Sequence, residues 1–272
     1  MLRFGVQSVM DTIRQIHYKH KVMKKILLVL AVLAIGATTA SAQKVRVMSY
    51  NVHNCIGSDK VKDIDRCAKV ILEANPDVVA IQEVDSCTRR NKRYVLGELG
   101  EKAGYHAYFG PTIPYKGGKY GIGVLSKKKA LSVKFHRLPC RKEPRGLLVV
   151  EFDKYYFLAT HLSLVRPDQR ESTQIIKEIV SKLNKPVFLA GDMNAQPHSP
   201  TMELFKEYMT VLTDETKFTF PAVEPRGCID YVMGTNGNFK VKKNHVFYGD
   251  ISSDHLPLYV DVKIVKAKKS KK

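Results

Sequence analysis

The sequence predicts an α/β protein with two packed β-sheets and helices outside them. Three observations carry this. Strand-like apolar runs alternate with stretches of helical periodicity near both ends of the chain. Between them lies a series of short β-rich runs separated by Gly, Pro and Lys clusters, the pattern of an antiparallel section. Neither a linker nor a fixed-period repeat interrupts the chain, so one domain over residues 43–263 accounts for it.

In order, Val45–Tyr50 reads as a strand. Val61, Ile64, Ala68, Ile71 and Leu72 recur at helical spacing, giving an amphipathic helix over Lys62–Ala74 that Asn75-Pro76-Asp77 stops. Val78–Val84 is a buried strand, and Tyr94–Ala103 a second helix closed by Gly104. The antiparallel section comprises Tyr105–Gly110, Gly121–Ser126, Leu131–Leu138, Leu147–Phe152 and Tyr156–His161. Pro167–Leu183 is a helix and Val187–Ala190 a buried strand. Ser199-Pro200 supplies a cap and a first-turn proline for another helix. Ile229–Met233, Lys240–Phe247 and Leu258–Val262 complete the strands.

Composition narrows the class. Hydrophobic content of 44% with 26% charged residues is that of a globular protein, which excludes a disordered chain. The net charge is +19. Residues before 43 hold six of the 45 Lys/Arg and one of the 26 Asp/Glu, so 39 minus 25 leaves +14 for the rest. That balance favours polyanionic partners, nucleic acid or anionic lipid. Six lysines among the last ten residues make 264–272 a basic tail. The five cysteines contain no CxxC pair, which argues against a zinc knuckle; an oxidising compartment would allow one or two disulfides.

Met23-Lys24-Lys25, the apolar Ile26–Ala37 and then Ala40-Ser41-Ala42 have the anatomy of a secretory signal peptide over 23–42. Twelve apolar residues are too few for a membrane span, which needs about 20. Residues 1–22 sit awkwardly before it, so translation is expected to begin at Met23 and the mature, exported chain at Gln43.

Several strands stop at a residue that can bind metal or move protons. These are Asn51, Glu83, His161, Asp192 with Asn194, Asp230, and Asp254-His255 just before the last strand. One such residue is ordinary turn chemistry; six positions are not, because ligand sites in α/β sheets gather at strand ends. Hard oxygen donors suit Mg²⁺, with Mn²⁺ as the alternative, and leave room for a substrate phosphate. Histidines and spare carboxylates then serve as acid, base and charge stabiliser. No Gly-x-Ser-x-Gly, Walker or Rossmann pattern offers a competing chemistry.

Six segments in order carry a resemblance: Met48-Ser49-Tyr50-Asn51-Val52, Asp77–Glu83, Thr160-His161-Leu162, Gly191-Asp192-Met193-Asn194, Ile229-Asp230-Tyr231 and Ser253–Pro257. The chain resembles the endonuclease/exonuclease/phosphatase superfamily of DNase I-like metal-dependent phosphohydrolases, from Val45 to Val262. The resemblance implies a four-layer α/β/β/α sandwich of two mixed sheets. It implies that Asn51, Glu83 and Asp254 hold the divalent ion, and that Asp192 orients or deprotonates the attacking water. Asn194 would bind phosphate oxygen, His161 and His255 would stabilise its charge, and Asp230 would pair with His255. Arg145 resembles a phosphate-contacting arginine. The chain departs from the family at Gly121-Ile122-Gly123, where many members carry an asparagine after the first glycine. The expected substrate is a phosphoester, nucleic acid first and a phospholipid headgroup second. A monomer without an obligate protein partner is expected, and a catalytically silent binding protein is the competing class.

Overall fold

A computed structural model describes residues 17–25 and 43–265. The chain divides into two units, Met1–Ala42 and Gln43–Lys272. In the first, residues 17–25 are helical. The apolar stretch and cleavage pattern expected before Gln43 lie outside the described residues. No helix among the described residues is long and apolar enough to cross a membrane.

In the second unit, alternation along the strands builds three apolar layers. One sheet runs β12 (Phe239–Val246), β13 (Leu258–Ile264), β1 (Lys44–Asn51), β2 (Val78–Thr88), β5 (Gly118–Ser126) and β4 (His106–Tyr115), with β3 (Asn91–Tyr94) also paired to β2. The other runs β10 (Met209–Val211), β11 (Asp230–Thr235), β9 (Val187–Asp192), β8 (Tyr156–His161), β7 (Arg145–Glu151) and β6 (Ser132–Leu138). Each sheet is mixed, since β1–β2 and β8–β9 pair in parallel and the remaining neighbours antiparallel.

Val45, Val47, Val78, Ala80, Phe157, Ala159, Phe188, Ala190 and Val232 face inward and fill the space between the sheets. Their strand neighbours Met48, Tyr50, Val79 and Ile81 face outward, against α1 (Ile64–Ala74) and α2 (Val95–Ala103). Leu158, Leu189, Tyr231 and Met233 meet α3 (Arg166–Ser181) and α4 (Pro200–Lys206) on the other side. This is the expected four-layer sandwich. The helices start where side chains satisfy their free amides. Asp63 accepts from the amides of Asp65 and Arg66, and Ser199 from that of Met202. The expected strands are present, with ends shifted by up to five residues; β3 and β10 are additions.

The two parallel pairs set the orientation of the site. The C-terminal ends of β1, β2, β8 and β9 lie at one edge of the sandwich. Antiparallel β11 begins there, with Asp230 opposite Asp192. Gly191 allows the close approach of β8: a Cβ at this position, φ +155°, would collide with the Thr160 carbonyl.

Candidate active site

The inward rows of the strands end in polar residues. Asn51 continues Val45 and Val47, His161 continues Phe157 and Ala159, Asp192 continues Phe188 and Ala190, and Asp230 precedes Val232. All four are at most 5% exposed. They line up at the seam where the two sheets meet.

Glu83 breaks the rule. Simple alternation would send it outward with Val79 and Ile81. Instead the β2–β5 register shifts between Ile81 and Val84, and Glu83 takes a left-handed backbone, φ +60°. Such a bulge re-aims a side chain, and its strained conformation persists only because neighbours hold it. Here Glu83 Oε1 accepts from Asn51 Nδ2 at 3.2 Å, and the Tyr120 hydroxyl also donates to the carboxylate.

Asn51 joins the two sheets. Its Nδ2 also donates to Asp192 Oδ2 at 3.2 Å, while its Oδ1 accepts from the amide of His53 at 3.0 Å. The amide therefore spaces two carboxylates, and its oxygen keeps one lone pair. Ser253, from the loop before β13, donates to the Asn51 carbonyl at 2.7 Å.

Asp192 is the hub. Its Oδ1 accepts from the Asn194 amide at 2.8 Å, and its Oδ2 lies 3.4 Å from His161 Nε2 and 3.7 Å from His255 Nε2. Asn194, at φ +48°, donates through Nδ2 to the Leu162 carbonyl. Burial pushes the Asp192 carboxyl well above the usual range, with Asp230 adding to the rise; His255 and the Asn194 amide oppose it.

The two histidines differ in charge. His161 is pushed down to about 3 by burial and by Arg145. Arg145 Nη1 is 3.3 Å from His161 Nδ1 and can only donate, so the neutral ring carries its proton on Nε2, facing Asp192. His255 is raised to about 10: burial lowers it, but Asp230 and Asp192 outweigh that cost. Its Nδ1 donates to Asp230 Oδ2 at 2.9 Å, and Thr219 donates to the same oxygen at 2.7 Å.

Asp192, Asp230 and His255 lie close enough together to surround an ion. Yet an imidazolium is not a metal ligand, so these three suit proton handling better. Glu83 is the fitting oxygen donor for a divalent ion, because its carboxylate, held below the usual range, lines an open cleft of about 140 Å³. Burial there raises Glu83, and the Asn51 and Tyr120 hydrogen bonds are among the contacts that more than offset this. Asp254 stands apart from the buried cluster, with its Oδ1 3.5 Å from His53 Nδ1. Arg145 is 8% exposed, ion-paired to Glu143 at 2.6 Å, and leaves Nε without a partner.

The structure thus joins Asn51, Glu83, Arg145, His161, Asp192, Asn194, Asp230 and His255 in one network. His53, Tyr120 and Thr219 are additions to the predicted set, and Ser253, part of a quoted motif, gains a role it had not been assigned. Tyr120 stands just before Gly121-Ile122-Gly123 and Thr219 outside every motif, and only pairing geometry reveals their roles. His53 carried a weak signal, two residues after Asn51. All five cysteines are free thiols, so the disulfides the sequence allowed are not formed.

This fold and site define a class. The chain belongs to the endonuclease/exonuclease/phosphatase family, whose profile matches residues 48–255. That superfamily includes phosphatases and nucleases; its members are phosphoester hydrolases that typically use a divalent metal. An endonuclease/exonuclease/phosphatase from Beutenbergia cavernae is similar at 26% identity and TM-score 0.71, over 84% of this chain and 73% of that one. A protein of the same description from Bacteroides vulgatus is 18% identical, with TM-score 0.69, over 82% of this chain and 100% of its own. A mannosyl-6-phosphatase from Bacteroides thetaiotaomicron is 18% identical, with TM-score 0.66, over 80% and 99%. None of the curated proteins compared with the chain matches it.

Proposed function

We propose that this chain is an exported, Mg²⁺-dependent phosphoester hydrolase that cleaves nucleic-acid diesters. The observation that carries the reaction is the buried Asp192 held between a neutral His161 and a charged His255. With its carboxyl raised, Asp192 is suited to orient a water and take its proton. Asn194 steers that water. His255, charged and fixed by Asp230, turns a proton on Nε2 toward developing phosphoryl charge. His161 places its Nε2 proton toward the same Asp192 oxygen, and Arg145 locks that tautomer. Glu83 would hold the ion, with Asn51 beside it and Asp254, next to His53, as the further ligand. When bound, the ion supplies Lewis-acid stabilisation of the transferring phosphoryl group.

The basic balance of the chain after residue 42 supports the nucleic-acid substrate. The small cleft at Glu83 supports a second reading, a compact sugar phosphate, the kind of substrate named for the Bacteroides mannosyl-6-phosphatase. A phospholipid headgroup is the third. A panel of oligonucleotide, bis-p-nitrophenyl phosphate, mannose 6-phosphate and sphingomyelin, each with Mg²⁺, Mn²⁺ or EDTA, separates them. Metal-dependent turnover of the diesters is expected, with Glu83→Gln reducing it by at least a thousandfold and removing the rise in Tm on adding Mg²⁺. Undiminished turnover in that variant would refute the site; no turnover on any substrate would favour a silent binding protein. Export rests on the Met23–Ala42 pattern. A secreted species beginning at Gln43 by intact mass supports it, and one retaining residues before Met23 overturns it.

A further inference from the structure

Two separate openings each have a residue of the catalytic network on their walls. Glu83 lines the smaller, with Arg90, Tyr115 and Glu143. Asn194 lines the larger, about 610 Å³, far more room than the phosphate being cleaved requires. We propose that this second groove binds the neighbouring phosphates of a nucleic-acid strand, and that Arg166 and Arg170 determine that specificity.

The wall chemistry is selective. Arg166, Arg170, Gln196 and Ser199 line the groove, and no carboxylate does. The other roomy clefts differ. One of about 650 Å³ is lined by Glu98 and Glu101 beside Lys102, and one of about 410 Å³ mixes Asp63 and Asp65 with Lys62, Arg90, Lys92 and Arg93. Of these, only the groove reaching Asn194 is purely basic and neutral.

The arginines are placed against their own helix. Arg166 and Arg170 are four residues apart at the start of α3, so they share a face. Like charges at that spacing repel, and cations at a helix N-terminus oppose its dipole. Nearby ion pairs use Asp168 with Arg141 and Lys177 with Glu207. Arg166 and Arg170 have no carboxylate partner among the described residues. A bound phosphate would reverse both unfavourable terms, since it pairs with the guanidinium groups and suits the helix end.

The groove is also fixed relative to the chemistry. Gln169 forms its floor: Nε2 donates to the carbonyls of Ser163 at 2.7 Å and Asn194 at 2.9 Å, and Oε1 accepts from Thr201 at 2.8 Å. This ties α3, the end of β9 and α4 together. Leu164, 70% exposed, adds an apolar surface suited to a base or sugar.

The inference rests on the phosphoester-hydrolase reading, so its test separates the two. Binding of a fluorescent single-stranded 12-mer is measured by anisotropy in EDTA, and turnover of the 12-mer and of bis-p-nitrophenyl phosphate in Mg²⁺. The double variant Arg166→Glu/Arg170→Glu is compared with Lys240→Glu/Lys242→Glu, the same charge change on exposed β12. The arginine pair should weaken 12-mer binding at least tenfold and flatten its log–log salt dependence by about 1.4. It should also lower the ratio of 12-mer to small-diester kcat/KM at least tenfold, while the lysine pair changes neither by more than twofold. Equal losses in both variants, or none in the arginine pair, overturn the subsite. Loss of binding in the arginine pair without turnover in any form would retain the subsite and refute the hydrolase reading.

Discussion

Asp230→Asn isolates the charge that His255 depends on. The amide keeps the shape, and its oxygen can still accept from Nδ1, so geometry survives while the negative charge goes. Opposite unit charges 2.9 Å apart attract by roughly 6 kcal/mol at an effective dielectric of about 20. Much of that is spent on burying both groups, which are 2% and 5% exposed. What survives is the rise of His255 from 6.5 to about 10, close to 5 kcal/mol at about 1.4 per unit. Asp230 is the larger source of that effect and Asp192 the smaller, so losing the Asp230 charge removes a contribution on the order of 3 kcal/mol. At pH 7 the ring of Asp230→Asn is still mostly charged, so the loss of turnover there should be under about tenfold and should grow to roughly fiftyfold near pH 10. The sign of the pH effect follows. The charged ring is the active form and persists up to about 10 in the wild type. Without Asp230 it loses its proton earlier, so the alkaline limb of the kcat profile moves down by about two units. The assay is a kcat–pH profile on bis-p-nitrophenyl phosphate from pH 5 to 10.5 in saturating Mg²⁺, with circular dichroism to confirm the fold. An unmoved alkaline limb with kcat within threefold of wild type would refute the coupling.

Tyr120→Phe removes one hydrogen bond to Glu83 and should weaken Mg²⁺ binding about tenfold, read by titration calorimetry. Arg145→Met removes the cation that keeps His161 neutral, so that ring takes up a proton more readily. The His161 imidazole, followed by NMR, should titrate at higher pH than in the wild type, and a titration that stays in place counts against the assigned tautomer. Phe157→Ala opens a cavity between the sheets and should cost about 3–5 kcal/mol in urea unfolding, with a loss under 1 kcal/mol contradicting the packing.

Much of the architecture was legible because its signals are local. Alternation along β1, β8 and β9 gave the strands, and the same parity that buries Val47, Ala159 and Ala190 delivers Asn51, His161 and Asp192 to the seam. Asn75 and Ser199 marked helix boundaries through backbone chemistry. Glu83 was recognised by motif, but its direction was not readable, since a bulge reverses parity and leaves no pattern in composition. Tyr120 and Thr219 were not readable for another reason: each acts through hydrogen bonds to a partner 37 or 11 residues away, set only when the chain folds. β10 was too short for periodicity to register. Asp254 looked equivalent to its neighbour His255, yet consecutive loop residues point different ways, and only His255 turns inward.

The placement of the site at the seam makes the apolar interior a measuring device. Asn51 and Glu83 ride on one sheet, His161, Asp192 and Asp230 on the other, and the gaps between them are set by valine and alanine side chains that never meet solvent. A slide of half an ångström between the sheets would leave every strand intact and still part the carboxylates. Catalysis should thus fail in mild denaturant before secondary structure does. The rims carrying Arg166, Tyr115 and Glu143 lie outside this gauge, so they can diverge toward new substrates without disturbing its calibration.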